Sequence, residues 1–232
     1  MGKFTFFWTL ELLQTISIPP RNGQAKGLLI VLHGWGANAQ DVAALASFLD
    51  LPDYQFMFPN APFPFPYAAT GRAWYNFPEN YSFLSHPDFY DQLDLTESRT
   101  QLTNWLMSLE GDTGIPLSRT ILSGFSQGGA MTLDVGLHLP FAALMVLSGY
   151  LHAPTRFTQQ KKPDAFRNVL LVHGRQDRVV PLQAAYQARD SLLGLGVPVQ
   201  FHELDMGHEI QPVVLSLMQR FIEEGLFQSD SL

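Results

Sequence analysis

Ser126 sits in Gly124-Phe125-Ser126-Gln127-Gly128, and Gly129 extends the run. A serine hydroxyl is a weak nucleophile at neutral pH. It attacks a carbonyl only when a base takes its proton and a third group orients that base. Glycines two positions before and after the serine suit a sharp strand-to-helix turn, where side chains at those places would collide. Thr120 to Ser123 reads as the strand and Ala130 to His138 as the helix. A helix start behind Ser126 stabilises negative charge growing on a substrate oxygen. The chemistry implied is acyl transfer through a covalent intermediate on Ser126.

Such a serine needs its acid and base later in the chain, in the order nucleophile, acid, histidine. His208, in Asp205-Met206-Gly207-His208-Glu209, follows the last apolar run and precedes the last helical pattern. That places it on a loop at the strand C-termini, where open parallel sheets build their sites. The other histidines fit less well. His33 and His86 precede the serine, and His152 comes too early. His138 belongs to the helix after the turn, and His202 lies within a strand pattern. His33 and His173 each end an apolar run before a glycine and read as packing or supporting groups. Asp177, a few residues past Val169-Leu170-Leu171-Val172, is the expected acid; Asp205 is its rival, close to His208 in sequence.

The oxyanion formed by attack needs two backbone N–H donors. One is expected from Gln127, next to the nucleophile. The other is expected from Trp35, whose flanking glycines in His33-Gly34-Trp35-Gly36 let its amide turn inward.

These groups need a scaffold that holds distant segments together. Apolar runs at 28–32, 54–58, 120–122, 143–147 and 169–172, with 197–204, read as buried strands. Helical patterns separate them: one capped by Asn38 and carrying Val42, Leu45, Phe48 and Leu49; one over Asp94 to Leu109; one from Pro181 to Leu193; one from Pro212 to about Gly225. Alternation of this kind predicts an α/β protein with a mostly parallel central sheet and helices on both faces. With no linker or repeat in the sequence, residues 1–232 are expected to form one domain.

Pro59 to Tyr90 breaks the rhythm with prolines and aromatics. Loops of that length are uncommon unless functional. Phe63, Phe65, Trp74, Tyr75 and Phe77 are expected to include residues lining an acyl or alcohol pocket, the alternative being a rigid cover over the sheet edge.

Composition narrows the function classes. The 232-residue chain has a formal charge of -7, which disfavours nucleic acid and anionic lipid as partners. It has no cysteine, so thiol nucleophiles, disulfides and thiolate metal sites are excluded. Met1 to Trp8 reads as a strand and not a signal peptide, and Phe6 breaks the myristoylation pattern. No apolar run reaches the ~18 residues of a membrane span. A cytoplasmic location without stable membrane association is expected, and the sequence leaves oligomeric state open.

Taken together, Leu32-His33-Gly34-Trp35-Gly36-Ala37, Gly124 to Gly129, His173-Gly174 with Asp177, and Gly207-His208 resemble the phospholipase/carboxylesterase family, over about residues 27 to 223. That family contains acyl-protein thioesterases and small bacterial carboxylesterases. The resemblance implies an α/β-hydrolase fold, no cofactor and no metal, a Ser126–Asp177–His208 triad, and oxyanion donors at Trp35 and Gln127. It implies hydrolysis of carboxylic esters or thioesters, and the leading reading is an esterase for small to medium acyl chains working through an acyl-enzyme. The alternatives are a thioesterase or lysophospholipase for longer chains, or a ligand-binding relative without catalysis. The sequence departs from the family in two places. The family often has Leu where Trp35 stands, and commonly a Trp-aromatic-Asp run where this chain has Trp74-Tyr75-Asn76.

Overall fold

The computed structural model describes residues 13–79, 81–84, 90–152 and 168–226. The strand expected at Met1 to Trp8 lies outside the described residues. Among the described residues, nine strands occur in chain order: β1 (Thr15–Ile18), β2 (Gly27–Leu32), β3 (Tyr54–Pro59), β4 (Phe63–Pro64), β5 (Arg72–Ala73), β6 (Thr120–Phe125), β7 (Ala143–Leu147), β8 (Val169–Gly174) and β9 (Val199–Leu204). The helices among the described residues are α1 (Ala39–Ala43), α2 (Leu93–Thr113), α3 (Gln127–Gly136), α4 (Leu182–Gly194) and α5 (Pro212–Leu226), with short 3-10 turns at Ala44–Phe48 and Leu117–Arg119.

Seven strands form one sheet in the order β1-β3-β2-β6-β7-β8-β9. All neighbours are parallel except β1, which pairs antiparallel with β3. Two apolar layers cover the sheet, and alternate strand residues feed each one. Leu28, Ile30, Leu122, Leu144 and Leu171 pack with Leu102 and Leu106 of α2, Leu133 of α3 and Leu192 of α4. Leu29, Val31, Ile121, Met145 and Leu170 pack with Val42 of α1 and with Val214, Met218 and Phe221 of α5. Burial on both faces is why these strands are continuous apolar runs.

The helix borders follow local chemistry. Asn38 accepts from Gln40 N at 2.8 Å and Asp41 N at 3.2 Å, while Asp41 accepts from Asn38 N at 3.0 Å. This capping box starts α1. Gly114, at φ 73°, closes α2.

Two features differ from the sequence expectation. The first helix stops after one turn and tightens to 3-10 geometry, so Phe48 turns outward and is 68% exposed. Strand β1 was not anticipated, because four half-exposed residues on a sheet edge carry little periodic signal. The aromatic segment has sparse regular structure of its own, a two-residue ladder pairing Phe63 with Ala73 and Pro64 with Arg72.

Candidate active site

The turn between β6 and α3 carries Ser126 at φ 55°, ψ -117°. A non-glycine residue there is strained and persists only where the surroundings over-determine it. Gly124 and Gly128 provide that constraint. A Cβ on Gly124 would stand 2.2 Å from the Gly128 oxygen, and one on Gly128 would stand 2.4 Å from the Leu32 oxygen. Bonds from Ser126 N to Leu147 O (2.9 Å) and from Ala130 N to Ser126 O (3.0 Å) tie the turn to β7 and the helix.

His208 hangs from the loop between β9 and α5. Its Nε2 lies 2.9 Å from Ser126 Oγ and its Nδ1 lies 2.7 Å from Asp177 Oδ2. Nδ1 is therefore the donor to the carboxylate, which leaves Nε2 facing the serine hydroxyl. Phe125 packs against the imidazole at 4.7 Å between ring centroids. Gly174 admits this loop, since a Cβ there would lie 2.3 Å from the Met206 oxygen. The loop is also sewn to the loop bearing Asp177 by Gln176 N on Met206 O at 3.1 Å.

Asp177 is buried, which by itself raises its pKa. Donation from His208, with the amides of Val180 (2.8 Å) and Val179 (2.9 Å), outweighs burial and holds the carboxyl below the usual range. The rival Asp205 instead takes Arg175 Nη1 at 2.8 Å on the surface. His173 is buried beside the acid and donates Nε2–H to Val180 O at 2.9 Å. His33 donates Nδ1–H to Gly34 O at 2.8 Å and accepts at Nε2 from Ala61 N at 3.0 Å. Both bonds need the neutral ring, and burial pulls its pKa from 6.5 down to about 4. Both histidines support loops, as their positions before Gly34 and Gly174 suggested.

Gln127 opens α3, so its amide has no acceptor within the helix. The loop bearing Trp35 crosses close to Ser126: a Cβ on Gly34 would lie 3.4 Å from Ser126 Cβ. Gly36 turns that loop at φ 81°. Trp35's indole is 42% exposed and stacks edge-on against Phe65 (4.8 Å) and Phe77 (5.4 Å).

The five aromatics of the expected pocket divide. Phe63, Phe65 and Phe77 are partly exposed. Trp74 and Tyr75 have no exposed surface and are held by polar bonds, so they act as anchors and not as an open lining. Trp74 Nε1 donates to His33 O at 3.0 Å, and the Tyr75 hydroxyl meets Tyr150 OH at 2.6 Å and His152 Nε2 at 2.7 Å. Sequence reasoning did not foresee these anchors, which have no pattern beyond their aromatic type. Asn76 leans on a carboxylate from elsewhere: Asp94 accepts from its N at 2.7 Å and its Nδ2 at 3.2 Å. Among the described residues, no group of three or more His, Asp or Glu side chains is placed to hold a metal ion.

A parallel sheet with a strained serine turn, and a histidine and an aspartate on later strand ends, defines an α/β-hydrolase. The chain belongs to the phospholipase/carboxylesterase family, whose model matches residues 13–226. Acyl-protein thioesterase 1 homolog 2 of Dictyostelium discoideum is 30% identical over 179 residues, covering 74% of this chain and 76% of that protein. Acyl-protein thioesterase 1 of Gibberella zeae is 35% identical over 127 residues, and that match spans 52% of this chain and 54% of that protein. The solved structure of esterase PE8 superposes with a TM-score of 0.83 at 31% identity, covering 93% of this chain and all of that one. No helix among the described residues is long and apolar enough to cross a membrane.

Proposed function

We propose that this chain is a serine carboxylesterase working through an acyl-enzyme, with Ser126 as nucleophile, His208 as general base and Asp177 as the orienting acid. The observation that carries this reading is the continuous relay from Ser126 Oγ through His208 to Asp177, at 2.9 and 2.7 Å. Nε2 takes the hydroxyl proton as Oγ attacks the ester carbonyl. The amides of Trp35 and Gln127 receive the oxyanion. The imidazolium returns its proton to the leaving alcohol, and a water activated by the same nitrogen then releases the acid. A small-molecule ester suits the aromatic wall of Trp35, Phe65 and Phe77 better than a polyanion, given the charge of -7.

Ser126→Ala is expected to abolish both hydrolysis of p-nitrophenyl esters and labelling by a fluorophosphonate probe. Full labelling of the variant would assign the nucleophile elsewhere and overturn the reading. The names of the thioesterase relatives support a second reading, thioester or long-acyl substrates at the same serine. Comparing kcat/KM for an ester and a thioester of equal acyl length decides between the two.

A further inference from the structure

We infer that Arg72–Tyr75 is a positioning strut that fixes the two oxyanion amides relative to each other, with Trp74 and the Gln127 side chain as its fastenings. The inference rests on the esterase reading above and deepens it.

The two donors come from segments far apart in sequence, the loop after β2 and the start of α3. Both must point at one developing oxygen, and an error of about 1 Å in such an alignment costs about 100-fold in rate. The strut touches both segments. Towards the Trp35 loop, Gly36 N donates to Arg72 O at 2.9 Å, and Arg72 N donates to Ala37 O at 2.8 Å. The neighbouring chain runs so close that a Cβ on Gly71 would lie 2.6 Å from the Gly36 oxygen. Trp74 Nε1 then holds the carbonyl of His33, two residues before Trp35, at 3.0 Å.

Towards the serine turn, the Gln127 amide reads the strut's backbone at two adjacent positions. Its Oε1 accepts from Trp74 N at 2.9 Å and its Nε2 donates to Tyr75 O at 2.8 Å. A carboxamide carries its acceptor and its donor on neighbouring atoms, which matches one backbone N–H and one C=O at successive positions. Gln127 has no exposed surface, so both bonds lie away from water. They fix the side chain of the very residue whose backbone N–H is the proposed donor. The strut is itself clamped from behind. Ser98 Oγ donates to Trp74 O, and Tyr150 and His152 hold the Tyr75 hydroxyl.

A purely structural role would appear in stability alone. A positioning role appears in transition-state affinity, which gives the test. Trp74→Phe keeps most of the ring volume and removes the N–H to His33. Gln127→Met keeps the length and removes both bonds to the strut, while its backbone amide remains. For each, kcat on a p-nitrophenyl ester is expected to fall about 10- to 100-fold with KM moving less than about 3-fold. The Ki of a trifluoromethyl ketone, whose hemiketal oxyanion occupies the hole, should rise by the factor that kcat/KM falls. The double variant should lose less than the product of the single losses, because both act through one strut. If either variant does not fold, Ser98→Ala reads the same strut through its carbonyl, with the same parallel between Ki and kcat/KM. Folded variants with a lower Tm but unchanged kcat and Ki would overturn the strut while leaving the esterase reading intact. A wild-type protein that neither turns over esters nor takes the fluorophosphonate label would instead overturn the esterase reading.

Discussion

His208 Nδ1 and Asp177 Oδ2 meet at 2.7 Å, although 31 residues separate them in the chain. The carboxylate keeps its other oxygen on the amides of Val179 and Val180, so it is fixed before the histidine binds to it. An acid held this way sets the imidazole tautomer. Asp177→Asn should therefore lower kcat by about 10⁴-fold, as loss of the orienting acid does in a serine protease. Asp205→Asn should change kcat by less than about 2-fold, since that carboxylate faces solvent on Arg175. Steady-state kinetics on the two variants checks both. The opposite ranking would move the acid to Asp205.

EDTA should leave the rate unchanged in a mechanism whose charge stabilisation comes from amides. Loss of activity in EDTA that a divalent metal restores would contradict the mechanism.

His33 gives stability its own pH dependence. Unfolded, it binds a proton near the ordinary 6.5; folded, it stays neutral down to about 4. Between those values the unfolded chain holds the extra proton, so acidification favours unfolding. The expected contribution is a loss of roughly 3 kcal/mol from pH 6.5 to pH 4. Urea unfolding of wild type and His33→Gln across that window measures it. The variant should show the flatter profile, whatever its absolute stability.

The glycines of the serine turn should not tolerate a methyl group. Gly124→Ala places Cβ 2.2 Å from a backbone oxygen, which cannot yield like a flexible side chain. The loss should be about 3 kcal/mol or more. Gly111, on the exposed side of α2 with nothing within 4 Å of its Cβ position, is the control. Gly111→Ala should stabilise by about 0.5–1 kcal/mol, because a helical glycine carries an entropic penalty. Melting temperatures in opposite directions confirm the contrast.

Chain-length preference should follow the partly exposed aromatics and not the buried ones. Phe65→Ala and Phe77→Ala enlarge the wall beside Trp35 and should move the acyl-length optimum of kcat/KM by one or more methylenes, at about 0.8 kcal/mol each. Trp74→Ala opens a cavity in the core and should lower the melting temperature and the rate at every length. An ester series from acetate to laurate separates the two behaviours.

The residues with the strongest local signatures were legible from sequence. Gly124-Phe125-Ser126-Gln127-Gly128 announces its turn because the required geometry excludes side chains at two fixed offsets. The strands 28–32, 120–122, 143–147 and 169–172 announce themselves because a parallel strand buried on both faces must be continuously apolar. Chain order pointed to His208 and to Asp177, with Asp205 as its rival, once the serine was found. Other features depended on contacts between segments distant in the chain. Trp74, Tyr75, Phe65 and Phe77 are alike as sequence, yet two are sealed anchors and two stay half-exposed, because burial depends on what crosses above each ring. Choosing Asp177 over Asp205 depended on the direction of two loops relative to one imidazole. The bonding of the Gln127 side chain depended on a backbone stretch more than fifty residues earlier. Periodicity and turn chemistry act over a few residues and are written in the sequence; hydrogen bonds between remote segments exist only once the sheet has brought those segments together.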